Sequence, residues 1–219
     1  MSGTRAPRAP GASRTPVPVT LDRAIGNGAP GGPGAPLGGD AQEAVRLLLH
    51  HLGEDPEREG LVDTPRRVLG ALGELTAGYR ADVGSLLAVT FQESYDELIV
   101  VRRTPFWSLC EHHLLPFTGH ATVGYLPRDG IVGLSKLARL VEVFARRLQV
   151  QERMTAQIAD ALVEHVRPLA VGVIVEATHT CMAMRGVQRT APMVTSCLRG
   201  LLRERADLRA EFLAFAGFR

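Results

Sequence analysis

Residues 135–166 constrain the fold most, because two amphipathic helical patterns follow one another there with almost no linker. In the first, Leu137, Leu140, Val141, Phe144 and Leu148 recur at helical spacing behind Ser135, a candidate N-cap. In the second, from about Gln151, the stripe is Met154, Ile158, Leu162 and Val166, and Pro168 stops it. Strand patterns lie on both sides. Residues 98–101 are apolar and β-branched, 117–126 alternate around Val123 and Tyr125, 171–177 read as a buried strand and 193–197 as a weaker one. A helix over 208–215 closes the chain. Strands, a helix pair, then strands predict an α+β fold with an antiparallel sheet, and the order excludes the strict alternation of a doubly wound fold.

Two helices precede this block. Residues 41–52 place Ala44, Val45, Leu48, Leu49 and Leu52 on one face before Gly53. Asp63-Thr64-Pro65 then offers a cap and a first-turn proline for a helix through Val68, Leu69, Leu72 and Leu75, ending by Gly78. Residues 1–40 differ from all of this: they hold 7 of the 14 prolines and 9 of the 23 glycines and predict a disordered tail.

The charge separates in the same way. The tail carries four Arg and two Asp, leaving 21 basic and 21 acidic residues in the remainder, so the net charge of +2 belongs to the tail. A neutral folded part has no excess cation with which to displace counterions, which argues against a general nucleic-acid surface. No apolar run reaches the length of a membrane span or a secretory signal, so the expected location is the cytoplasm. Three cysteines without framework spacing suit a reducing compartment, where thiols are free to ligate metals.

The reactive side chains cluster twice, at Cys110-Glu111-His112-His113 and at His179-Thr180-Cys181. A C-x-x-H spacing lets one turn present a thiolate and an imidazole to the same point, and Cys181 can supply a third donor; this soft set favours zinc. Two arrangements remain open. With Cys110, His113 and Cys181 as ligands, an open fourth position holds a water whose pKa falls to about 7, and His112 and His179 are left as proton carriers. With His179 as a fourth ligand the site is closed and structural.

A second constellation opens the first helix of the pair, where Ser135, Lys136 and Arg139 stand at a helix N-terminus, a place that holds phosphates. Of the 25 basic residues Lys136 is the only lysine, a compact point charge in a chain that otherwise uses Arg. Glu152, after Gln151 at the start of the second helix, complements the helix dipole or accepts the two N–H donors that distinguish guanine. Arg185 follows Cys181 closely, as a surface residue or a phosphate clamp.

Taken together, Cys110-Glu111-His112-His113, residues 133–139, Phe144-Ala145-Arg146-Arg147, Gln149-Val150-Gln151-Glu152-Arg153 and the run from His179 to Val187 resemble GTP cyclohydrolase I from about residue 41 onward. The resemblance implies a helical part over 41–95 and a catalytic part over 96–219 in the tunnelling fold, whose sheets close a five-subunit barrel that stacks into a decamer with sites between subunits. It implies zinc on Cys110, His113 and Cys181, with GTP and water converted to 7,8-dihydroneopterin triphosphate and formate on the way to tetrahydrofolate. His112 and His179 would move protons, Ser135 would serve the sugar rearrangement, and Gln151 and Glu152 would read guanine. Lys136, Arg139 and Arg185 would hold the triphosphate with Arg67 of a neighbouring subunit. Two positions depart from the pattern: Gly70 stands where a basic residue is expected, and residues 188–193 lack a serine.

The alternatives fare worse. A nucleobase deaminase needs H-x-E and P-C-x-x-C elements, and the sequence has neither. A tunnelling-fold reductase would use NADPH and a reactive Cys without this ligand set. A zinc-stabilised interaction module is the non-enzymatic reading.

Overall fold

The computed structural model describes residues 39–88 and 90–218, so the expected tail, up to residue 38, lies outside the described residues. Gly39 and Asp40, expected in the tail, instead open the first helix.

The N-terminal part consists of α1 (Gly39–His51), α2 (Thr64–Leu75), a 3-10 turn (Ala77–Arg80) and α3 (Val83–Leu87). α1 buries none of its residues, and Leu47, Leu48 and Leu52 are exposed. Pro65 sits in the first turn of α2 as expected, but Asp63 makes no capping bond. Its carboxylate accepts from Arg67 Nη2 at 3.1 Å instead, so the cap residue is spent on an ion pair. In α3, a five-residue helix too short to show a period, Asp82 caps by accepting from the Ser85 amide at 3.1 Å and from its hydroxyl at 2.6 Å.

The body is a five-stranded sheet in the order β5-β2-β3-β6-β7. Its strands are β2 (Ile99–Cys110), β3 (Pro116–Leu126), β5 (Leu148–Gln149), β6 (Ala170–His179) and β7 (Met193–Gly200). All pairs are antiparallel except the two-residue β2–β5 pair. A separate two-stranded ribbon joins β1 (Thr90–Phe91) to β4 (Ile131–Val132). β2 is far longer than the expected 98–101. Arg102 and Arg103 interrupt the alternation at a bulge, after which the strand resumes through Pro105 to Cys110.

The helix pair, α4 (Leu134–Ala145) and α5 (Gln151–Val166), covers one face of this sheet. Leu137, Leu140, Val141 and Phe144 of α4 and Met154, Ile158 and Leu162 of α5 are buried against Phe117, Val123, Tyr125, Val171, Val173 and Val175. Each large side chain so buried contributes about 1.5–3 kcal/mol. Two expectations need correction. Leu148 lies beyond α4, in β5, and Ser135 is not the cap: Gly133 occupies that position with no side-chain bond, and Ser135 is exposed inside the first turn.

After β6 the chain forms α6 (Thr180–Ala183), and after β7 it forms α7 (Leu201–Glu204) and α8 (Ala206–Ala216). α8 covers part of the other sheet face through Phe212, which is fully buried with Leu126, Ala170 and Ile174. Gly124 and Gly172 make room for its ring, since a Cβ at either would lie within 2.8 Å of it.

Candidate metal centre and its surroundings

One end of the sheet gathers both reactive clusters. β2 ends at Cys110 and β3 restarts at Pro116, so His112 and His113 ride on the tight turn between them. The Cys110 amide donates to the Leu115 carbonyl at 2.9 Å and the Leu114 amide to the Cys110 carbonyl at 2.8 Å, while Leu114 takes a left-handed φ of 54°. Register places Phe117 opposite His179 at the end of β6. α6 then turns Cys181 back toward Cys110, and Thr180 Oγ1 anchors it by donating to the Pro116 carbonyl at 2.5 Å.

The result is a group of three donors. The ligand atoms of Cys110, His113 and Cys181 lie within 4.8 Å of one another, with Cys110 buried, Cys181 half-buried and His113 exposed. Two sulfurs and one imidazole at that spacing fit an ion about 2.0–2.3 Å from each, so the group could hold a metal such as zinc. Burial, reinforced by the neighbouring Cys110, raises the Cys181 thiol above its ordinary value. His112 stays outside the group, with Nδ1 3.8 Å from Cys110 Sγ.

His179 is held from two sides. Its ring stacks on Phe117, centroids 4.5 Å apart and planes 6° apart, and its Nε2 lies 2.9 Å from Gln151 Oε1. Gln151 is fully buried, and its Nε2 donates to the carbonyls of Val175 at 3.0 Å and Met193 at 2.9 Å and to Thr195 Oγ1 at 3.2 Å. Those acceptors fix which end of the amide is nitrogen, so Oε1 must accept from His179. His179 therefore carries its proton on Nε2 and leaves Nδ1 as an acceptor. Burial lowers its pKa, and the Glu152 carboxylate opposes that shift in part.

The signal that could have revealed this role of Gln151 is weak. A lone Gln at a helix start reads as surface, and its partners are 24, 28, 42 and 44 residues distant.

A third tie runs from Arg153, in the first turn of α5. Its Nη2 pairs with Glu111 Oε2 between the two metal-binding residues of the turn, and it donates to the Leu148 carbonyl at 3.1 Å. Its Nε reaches Gln149 Oε1 at 3.2 Å, and the Glu111 amide donates to the Gln149 carbonyl at 3.0 Å. Arg153 lowers the pKa of Glu111, keeping it a carboxylate. The Glu111–Arg153 pair is separated by 42 residues, and no spacing in the sequence announces it.

The cations expected to hold phosphate are not drawn into this network. Lys136 and exposed Arg139 lie in the first turns of α4, and exposed Arg185 follows α6, close enough to act electrostatically on Cys181. None of the three side chains has a hydrogen-bond or ion-pair partner among the described residues. Arg139 also lines a cavity of about 730 Å³ with Glu74, Asp82, Ser85, Glu142 and Arg146. Arg67 is exposed on α2 and pairs with Asp63. Glu152 is exposed in the first turn of α5.

Residues 41–217 match the family model described as GTP cyclohydrolase I. A protein named GTP cyclohydrolase 1 from Nitrosospira multiformis is 57% identical over 173 residues, covering 77% of this chain and 90% of that one. Proteins of the same name from Bifidobacterium longum, 55% identical over 175 residues (79% and 87% covered), and from Synechococcus sp. strain JA-2-3B'a(2-13), 54% identical over 173 residues (78% and 76% covered), are similar throughout the same region. No helix among the described residues is long and apolar enough to cross a membrane. With its family match spanning both reactive clusters and the helix pair between them, this chain belongs to the GTP cyclohydrolase I family.

Proposed function

We propose that the chain is a zinc-dependent cytoplasmic enzyme that converts GTP and water to 7,8-dihydroneopterin triphosphate and formate, the first step toward tetrahydrofolate. The observation that carries this reading is the three-donor group of Cys110, His113 and Cys181, with His179 fixed beside it, in a chain of this family. When bound there, zinc supplies the Lewis acidity that lets water attack C8 of the guanine ring at neutral pH. His179, neutral and protonated on Nε2, accepts a proton at Nδ1 and returns it to the ring nitrogen released as the former C8 leaves as formate. Exposed His112 is the second proton carrier, and the Ser135 hydroxyl serves the sugar rearrangement before the ring recloses.

Substrate binding falls to residues that face outward. The Glu152 carboxylate accepts from N1–H and the exocyclic amine of guanine. Gln151, which the resemblance would place at the base, has its amide committed to His179, β6 and β7, so its role on this reading is to position His179. Lys136, Arg139 and Arg185 hold the triphosphate, joined by Arg67 of a neighbouring subunit. That Lys136, Arg139 and Arg185 have no hydrogen-bond or ion-pair partner among the described residues supports a site completed by assembly. So do the two edges of the sheet, β7 and the two-residue β5, which leave backbone groups for strands of neighbouring subunits. On this reading the subunits close a five-membered tunnelling-fold barrel, and two barrels stack as a decamer. The domain limits on this reading are a tail up to residue 38, a helical part over 39–95 and a catalytic part over 96–219.

A closed structural zinc has less support, because the ligand-distance group among the described residues is Cys110, His113 and Cys181, without His179. Incubating the purified protein with GTP, with and without chelator, and measuring formate and, after oxidation, neopterin fluorescence decides the matter. Both products should form and should disappear with chelator; folded, zinc-loaded protein that yields no formate would refute the proposal.

A further inference from the structure

The sheet face turned away from α4 and α5 carries a second polar cluster, which the metal centre does not use. It begins at the bulge in β2. The register against β3 shifts between Val101 and Thr104, and Arg103 takes a left-handed φ of 53°. Bulges re-aim side chains, and a non-glycine residue in that backbone region is held there at a cost. The consequence is two consecutive exposed arginines beside His120 and Glu176, which face each other across the β3–β6 pair.

The local bonds are specific. The Arg103 amide donates to Thr122 Oγ1 at 3.2 Å, and Arg103 Nη2 lies 3.3 Å from His120 Nδ1. Arg102 packs on the end of α8, where its Nη2 is 2.9 Å from the place a Cβ would take on Gly217. Arg102, Arg103, His120, Thr122, Glu176 and Gly217 line a cavity of about 150 Å³. The space is large enough to admit a tetrahedral four-oxygen anion.

Charge chooses among such anions. A guanidinium only donates, so His120 Nδ1 is the acceptor in its contact with Arg103 and the imidazole proton is on Nε2. The side chains of Arg102 and Glu176 have no hydrogen-bond or ion-pair partner among the described residues. Three donor groups thus converge on the cavity, together with one carboxylate. Paired arginines attract an oxyanion, whereas a carboxylate repels one that has no proton to offer. We propose that this pocket binds inorganic phosphate as hydrogenphosphate: Arg102 and Arg103 hold its oxygens, His120 Nε2–H donates to it, and Glu176 accepts the P–OH proton. Sulfate has the same shape and no proton at neutral pH, so it is excluded.

The test is calorimetric titration of the full-length protein with inorganic phosphate and with sulfate. Wild type should bind phosphate at least tenfold more tightly than sulfate. Arg103→Gly, a residue suited to the left-handed backbone, should abolish phosphate binding while leaving thermal stability no lower and GTP turnover in phosphate-free buffer unchanged. Glu176→Gln, which removes the carboxylate charge and adds an N–H donor, should let sulfate bind as well as phosphate. The doubly substituted Lys136→Ala/Arg139→Ala protein should still bind phosphate, which separates this pocket from the substrate's triphosphate contacts. No binding by wild type, equal binding of sulfate and phosphate, retention in Arg103→Gly, or loss in the Lys136/Arg139 variant would each overturn the proposal while leaving the metal-centre reading intact.

Discussion

Around Cys110 and His179 the side chains are held by named partners, whereas Lys136, Arg139 and Arg185 have none among the described residues. The same short turn of α5 supplies three consecutive residues with different duties: Gln151 fixes His179, Glu152 faces outward, and Arg153 grips Glu111 in the metal-binding turn. On the proposed reading, one chain holds His179 and the metal-binding turn by hydrogen bonds and leaves the phosphate-binding cations without partners among the described residues. Proton transfer requires donors and acceptors placed within a few tenths of an ångström, which suits the way His179 is fixed by Gln151 and Phe117. A triphosphate is large and multiply charged, and flexible cations can be brought to it by a second chain.

Substitutions probe this contrast, with the largest effect on the locked side. Cys181→Ser should weaken metal retention more than the roughly 10–100-fold typical of residues that only support a ligand, and formate release should fall with it. Metal content and circular dichroism read this together; a variant that keeps its zinc would remove Cys181 from the centre. Gln151→Ala comes next. It orphans buried acceptors at a cost of about 1–3 kcal/mol and frees His179, so kcat should fall about 10–100-fold with little change in KM for GTP. An unchanged kcat with a raised KM would instead make Gln151 a substrate contact.

On the open side, Lys136→Ala should raise KM about tenfold at constant kcat, as expected when a ground-state phosphate contact is removed. Equal KM values would leave the lone lysine without a substrate role. The smallest effect concerns α2, where a Cβ added to Gly70 meets nothing within 4 Å. Gly70→Ala should stabilise the helix by up to about 1 kcal/mol and raise Tm by about 2–4 °C. A fall in Tm would indicate that a neighbouring subunit packs against that face.

Legibility in the sequence follows the same division. The helix pair is readable because each helix buries one face at regular spacing, β6 because its unbroken apolar run is buried on both faces, and the Cys110/His113 part of the metal group because C-x-x-H is a local signal. Long-range bonds were not readable. Gln151 owes its role to acceptors on β6 and β7, and no spacing in the sequence announces them. The second half of β2 was hidden by Arg102, Arg103 and Pro105, residues that normally end a strand but here occupy a bulge and the pairs beyond it. Ser135 and Asp63 look like caps in one dimension, yet Gly133 holds the first cap position and an ion pair with Arg67 takes the second carboxylate.

The central claim is that one chain supplies a complete metal-binding and proton-transfer unit. Titrating metal-stripped protein with zinc while following formate release from GTP tests it most directly. Formate release should be absent without metal, rise in proportion to zinc added and level off at one zinc per chain. Formate release that persists in the stripped protein, or that saturates at one zinc per pair of chains, would contradict it.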